Sequence, residues 1–161
     1  MKSSNFEYPA DKASMYRILK VQLQGLIDGI PHLTANLANA SALLAQALED
    51  INWAGFYLLE NETLILGPFQ GKPACIEIKT GNGVCGTAVA KDSVMLVKNV
   101  HDFPGHIACD SASNSEIVIP LHNSSGEIAG VLDIDSPHLS RFDDEDREGL
   151  LAFAKILEQI F

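Results

Sequence analysis

With 161 residues, 47% of them hydrophobic and 20% charged, the chain is neither disordered nor fibrous, and its length suits a single compact domain over 1–161. Eleven lysines and arginines against 21 aspartates and glutamates leave a net charge of −10, which disfavours nucleic acid and other polyanions as partners. No apolar run approaches membrane-spanning length and "MKSSNFEYPADKASMYRI" has no apolar signal core, so a cytoplasmic protein without membrane contact is expected.

The chain opens with two amphipathic patterns. Met15, Ile18, Leu19, Leu23, Leu26 and Ile30 recur at helical spacing, and Leu33, Leu37, Ala40, Leu44, Ala47 and Leu48 repeat it after Pro31. Strand patterns follow: "NWAGFYLLE" at Asn52–Glu60, "TLILG" after an Asn61-Glu62 turn, and the alternating "CIEIK". Three glycines in "TGNGVCGTAVAKD" then break the strands, and a short helix is expected from about Val84 to Lys91, before the strand-like "VMLVKNV". A loop runs from His101 to Ser115. "EIVIPL" and "EIAGVLDID", joined by "HNSSG", read as a hairpin that should form the centre of the sheet.

At the C-terminus, Asp143 is placed to cap a helix whose first turn is acidic, so the run "DDEDRE" reads as a helix start. Leu150, Phe153, Ala154, Leu157 and Phe161 form its apolar stripe. Helices at both ends with strands between them predict an α+β fold, an antiparallel sheet covered on one face by the N- and C-terminal helices.

Three features lie outside a simple core pattern. Cys75, Cys85 and Cys109 are odd in number and spaced by 10 and 24 residues, which fits neither a secreted disulfide framework nor a paired zinc site. They are either small buried hydrophobes or reactive thiols. Asp133 and Asp135, two apart on one strand, share a face, and Glu116 starts the hairpin partner near them, so three acids converge on a site or form a solvated strand end. Trp53 and Tyr57 share a face of their strand, as core or as a pocket wall.

"NWAGFYLL", "GPFQGKPACIEI", "GNGVCGTAVA", "VHDFPGHIACDSASNSEIVIPL" and "GVLDIDSP" together resemble the free methionine-(R)-sulfoxide reductase family, enzymes built on a GAF domain. The resemblance spans the chain from about Asn52 onward, and the three cysteines in their own motifs are its specific part. It implies a GAF-like fold and a thiol enzyme acting on free methionine-(R)-sulfoxide without a resident cofactor, recycled by an external thiol such as thioredoxin. By motif, the family's catalytic cysteine falls on Cys109, the usual resolving cysteine on Cys75 and the third on Cys85. Which of the latter two resolves Cys109 first stays open. Trp53 and Tyr57 match the aromatic pocket for the substrate's methyl group, and Glu116, Asp133 and Asp135 match the acidic cluster around its polar part. Asn99 departs from the family, which often carries an aspartate there. A homodimer through the end helices is expected, partly from the family and partly from the stripe on the last helix.

The chemistry accounts for these residue types. A sulfoxide sulfur is a poor electrophile until its oxygen is protonated or polarised, so a thiolate must act beside an acid. Like charges in a desolvated pocket raise at least one carboxyl pKa, leaving a protonated acid, while an ionised neighbour can hold an ammonium group. Attack by Cys109 leaves a sulfenic acid that a second thiol condenses to a disulfide. A thiol with its ordinary pKa of about 8.5 is mostly protonated at neutral pH, and His106, three residues before Cys109, is a candidate to assist it; His101 and His122 carry less weight. The histidines lack paired-ligand spacing, so a metal site is not expected. The alternative from another class is a GAF-type module that binds a small effector without catalysis.

Overall fold

The computed structural model describes residues 6–161; the first five, where the segment inspected for a signal core begins, lie outside it. Helix α1 spans Lys12–Ile27, its N-cap Asp11 accepting the Ser14 N–H at 2.9 Å, and α2 spans Leu33–Ala47. The expected stripes are mostly buried, with Ile18 and Leu33 half-buried and two positions exposed. Leu26 and Ile30 are exposed, because Ile30 falls beyond the end of α1 and the apolar face belongs instead to Met15, Tyr16, Leu19, Leu23 and Ile27. Among the described residues no helix is long and apolar enough to cross a membrane.

Strands β1 (Trp53–Glu60) and β2 (Thr63–Gly71) are joined by Asn61 and Glu62, both at positive φ, the two-residue turn whose twist matches the flanking strands. Then come β3 (Glu77–Lys79), α3 (Gly83–Lys91), β4 (Met95–Val97) and a 3₁₀ turn at Val100–Asp102. The hairpin β5 (Ser115–His122) and β6 (Ile128–Ser136) leads to α4 (Asp144–Leu157) and a terminal 3₁₀ turn.

All strands pair antiparallel, in the order β3-β2-β1-β6-β5-β4. The centre is therefore β1 and β6, not the β5–β6 hairpin expected from the sequence. In β1, which pairs with β2 on one edge and β6 on the other, five successive residues, Trp53 to Tyr57, are buried. Pro120 is tolerated in β5 because β4 pairs only with Glu116–Val118 and ends before reaching it.

Alternation along the strands divides the core in two. Ala54, Phe56, Ile117, Ile119, Leu132 and Ile134 pack under α1, α2 and α4, so the terminal helices share one face as the α+β reading required. Trp53, Tyr57, Val118 and Val131 point to the opposite face, against α3. In the stripe of the last helix Leu150, Phe153 and Leu157 are fully buried within the chain, while Phe161 is half-buried.

Asp146, also fully buried, ties α4 to α1. Its carboxylate accepts from Tyr16 Oη at 2.8 Å, Lys12 Nζ at 2.7 Å and Arg141 Nη1 at 3.3 Å, and completes a capping box with Asp143, the expected N-cap. Asp146→Ala would leave the buried Tyr16 hydroxyl without its acceptor and take one acceptor each from Lys12 and Arg141, which keep Asp143 and Glu49 O. A loss of about 3 kcal/mol is expected, measurable as a fall in Tm of roughly 10 °C by calorimetry.

Candidate active site

The face away from the terminal helices carries the chemistry because strand register stacks unusual residues in rows. Trp53 on β1 lies opposite Asp135 on β6, which lies opposite Glu116 on β5. In the next row Gly55, Asp133 and Val118 are aligned. Gly55 is required by close approach: a Cβ there would overlap Phe69 and come within 2.8 Å of the Trp53 ring. Its absence lets Phe69 stack on Trp53 with centroids 5.1 Å apart, and Trp53 in turn faces Tyr57 at 5.9 Å.

Glu116 and Asp133 are each only 6% exposed. Burial, reinforced by Asp133 and Asp135, holds the Glu116 carboxyl well above the usual carboxylate range. Burial and then Asp133 do the same to Asp135. Asp133 is pushed up to about 6, again by burial, so at neutral pH it carries the negative charge of the group. Its Oδ1 is buried without a hydrogen-bond partner, an acceptor left free on the cavity floor. Three adjacent carboxyls thus separate into proton donors and one ionised acceptor.

Cys85, on the first turn of α3, is buried and its Sγ donates towards Glu116 Oε1 at 3.9 Å. Desolvation, then the nearby carboxyls, raise its pKa, so it stays a thiol. Ligand atoms of Cys85, Glu116 and Asp133 lie within 4.8 Å of one another. The sequence did not foresee this cluster as a possible cation site. It lacks an imidazole, and burial keeps its thiol and Glu116 protonated, an arrangement organised around protons.

Cys75 and Cys109 are joined by a disulfide, with Cα atoms 5.5 Å apart. Cys109 lies on the long loop between β4 and β5, which turns at Gly105 (φ +73°) and lies over the acids. Cys75 lies on the segment between β2 and β3. The expected strand "CIEIK" shrinks to three residues: Ile76 O still accepts from Leu66 N, but Cys75 O is taken by a side chain, and aromatic residues hold the segment before the strand. Trp53 Nε1 donates to Lys72 O at 3.2 Å and Tyr57 Oη to Cys75 O at 3.0 Å. The pocket wall therefore also holds the strap that carries Cys75.

Under the disulfide is a cavity of about 30 Å³, room for one or two water molecules. Cys109, Cys85, Glu116, Asp133, Asp135, Trp53 and Tyr57 all line it, and Cys75 reaches it through its bond to Cys109. His106 lines it too, but its Nε2 faces Glu116 Oε2 at 4.0 Å. Burial lowers the His106 pKa and raises that of Glu116, so they meet as two neutral groups rather than an ion pair. His122 is elsewhere, between Asp92 and Glu158. Asn99 does not line the cavity; its Oδ1 accepts from His101 N at 3.1 Å as the cap of the 3₁₀ turn, an acceptor role open to aspartate as well.

One participant had no sequence signal. Asn52, a polar residue just before a strand, is unremarkable in the chain, yet its Nδ2 donates to Asp110 Oδ2 at 3.0 Å and Ser113 Oγ at 3.1 Å.

The chain is similar to known proteins over most of its length. Residues 34–161 match the GAF domain family. The chain is 55% identical over 150 residues to the free methionine-R-sulfoxide reductase of Escherichia coli (strain K12), covering 93% of this chain and 90% of that protein. It is similar in structure to fRMsr of Staphylococcus aureus in the reduced form, with 54% identity and a TM-score of 0.87, covering 90% of this chain and 94% of that one. It also resembles the free methionine-R-sulfoxide reductase from Neisseria meningitidis in complex with its substrate, with 45% identity and a TM-score of 0.92, covering 97% of this chain and 94% of that one.

Proposed function

Because this chain belongs to the free methionine-(R)-sulfoxide reductases of the GAF domain family and is an oxidoreductase, we propose that it reduces free L-methionine-(R)-sulfoxide to methionine with Cys109 as the nucleophile. The observation that carries the reading is the Cys75–Cys109 disulfide closed over a cavity whose floor is the buried Glu116 and Asp133 and the half-buried Asp135, beside Trp53.

In the reduced enzyme the sulfoxide's methyl group lies against Trp53 and Tyr57, and its ammonium group approaches the unpartnered Asp133 carboxylate. Glu116 and Asp135, held protonated by burial, donate to the sulfoxide oxygen. Cys109 sulfur takes that oxygen, its thiol proton is returned to the acids' pool, and methionine leaves with Cys109 as sulfenic acid. The Cys75 thiol attacks the Cys109 sulfur, expelling water and forming the disulfide. An external dithiol, a thioredoxin-type protein, then returns both cysteines to thiols while becoming a disulfide itself. No resident cofactor enters the cycle, and the need for a reducing thiol pool places the enzyme in the cytoplasm.

Two features support this division. Cys85 is buried and kept protonated, which disfavours it as the resolving group and favours Cys75. A cavity of about 30 Å³ has no room for an amino acid, so the disulfide state is the product end of the cycle and must be reopened before substrate enters.

The test is incubation of purified protein with dithiothreitol and each epimer of free methionine sulfoxide. Methionine forms from the R epimer alone if the reading holds. Equal loss of both epimers, or of neither, sinks it.

A further inference from the structure

The loop that carries Cys109 has little of its own to hold it. From Gly105 to Ser113 its backbone bonds are local: His106 N to Phe103 O, Cys109 N to Ile107 O and Ser113 N to Asp110 O. Ala108 is exposed and Ile107 is 37% exposed, its side chain lying over Gly83, so packing holds them only in part. Apart from the disulfide, the hydrogen bonds that tie this stretch to the sheet among the described residues are those of Asn52.

Asn52 is suited to that task. Its own N–H donates to Asp135 O at 2.9 Å, fixing it to the strand that bears an acid, one residue before Trp53. Its side-chain amide reaches the carboxylate of Asp110, the neighbour of Cys109, and the hydroxyl of the buried Ser113. Asp110 is itself oriented by Ala112 N, which donates to its other oxygen at 2.9 Å. One residue thus links the nucleophile's loop through its side chain to the acid strand through its main chain, beside the aromatic strand. Once the disulfide is reduced, this is the hydrogen-bonded tether that keeps Cys109 above Glu116 and Asp135.

We propose that Asn52 is a positioning residue for the nucleophile, clamping Cys109 over the acid cluster through Asp110 and Ser113. The proposal rests on Cys109 being the reacting thiol. Asn52 acts through Asp110 and the loop and does not touch substrate.

The test exchanges donor and acceptor. In Asn52→Asp the amide donor becomes a carboxylate facing Asp110, which releases the loop by like-charge repulsion. In Asn52→Asp/Asp110→Asn the polarity is reversed, the net charge matches the wild type, and the bridge can re-form. The single variant is expected to lose on the order of 10- to 100-fold in kcat, the range for a charge-assisted contact that sets reacting geometry, while KM changes far less. The double variant is expected to recover most of that loss. Ser113→Ala removes one of the two contacts and should give a smaller fall of the same kind, which keeps the proposal testable if the single charge variant does not fold.

A second readout needs no substrate. Equilibration of Cys75 and Cys109 with glutathione reports how often the two thiols meet; Asn52→Asp should shift it towards thiols by a similar factor, and the double variant should restore it. Wild-type protein inert towards the R epimer would count against the reductase reading, while this equilibrium would still decide the clamp. Unchanged kcat and thiol equilibrium in Asn52→Asp and Ser113→Ala, a rise in KM alone, or a double variant no better than the single one would overturn the proposal.

Discussion

Cys109→Ser protein folds and forms no methionine from the R epimer, even with excess dithiothreitol. A serine hydroxyl in the same loop has a far higher pKa than a thiol and cannot take the sulfoxide oxygen to give an analogue of the sulfenic acid. The remaining site still binds and polarises substrate, but neither Cys75 nor Cys85 substitutes as the attacking atom. Cys75 is held to one side by Tyr57 and Trp53, and Cys85 is buried and protonated against Glu116. The rate should therefore fall to the background of dithiothreitol alone in a coupled methionine assay. Stability must be compared with reduced wild type, because opening a link between positions 34 apart removes about 4 kcal/mol of chain-entropy stabilisation by itself. Against that reference the substitution is nearly neutral.

Glu116→Gln and Asp135→Asn make the second large effect. Each keeps shape and burial but replaces an acid, held protonated by desolvation, with an amide that cannot transfer a proton. The rate of methionine formation should fall roughly 10²- to 10⁴-fold, with substrate affinity less affected. The linked stability effect has the opposite sign. A carboxyl whose folded pKa is raised binds its proton more tightly in the folded state, so its favourable contribution is complete below the unfolded value near 4 and is lost as pH rises through the folded value. For Asp133 that loss extends through about 6, and for Glu116 and Asp135 beyond it. At neutral pH the amide variants should thus be at least as stable as wild type, and their stability should vary less above pH 4 in urea titrations. An inactive variant that is also clearly destabilised at pH 7 would indicate a structural role.

Much of this arrangement was legible in local patterns. The hairpin "EIVIPLHNSSGEIAGVLDID" brings Glu116 close to Asp133 and Asp135 through its turn, but its pairing with Asp135 depends on a bulge between Leu121 and His122 that shifts the register by one residue. The helix starts at Asp11 and Asp143 are short-range capping events, although only the second was read from sequence. What escaped depends on contacts between distant segments. The pairing of β1 with β6 joins residues about 80 positions apart and has no local signature. The strand expected through Cys75 shortened where Tyr57 took the Cys75 carbonyl, an outcome decided by tertiary packing rather than β propensity. Asn52 was illegible for the same reason, since the value of its amide depends on a loop 58 residues further on. The Asp146 network behind α4 likewise needed Tyr16 and Lys12 from the other end of the chain.

The most direct measurement of the central claim uses Cys75→Ser protein, reduced and freed of reductant, mixed with one equivalent of free methionine-(R)-sulfoxide in the presence of dimedone. With the resolving thiol gone, one methionine per enzyme should form and the sulfenic acid adduct should be found by mass spectrometry on Cys109. An adduct on Cys85, or methionine released with no adduct on Cys109, would contradict it.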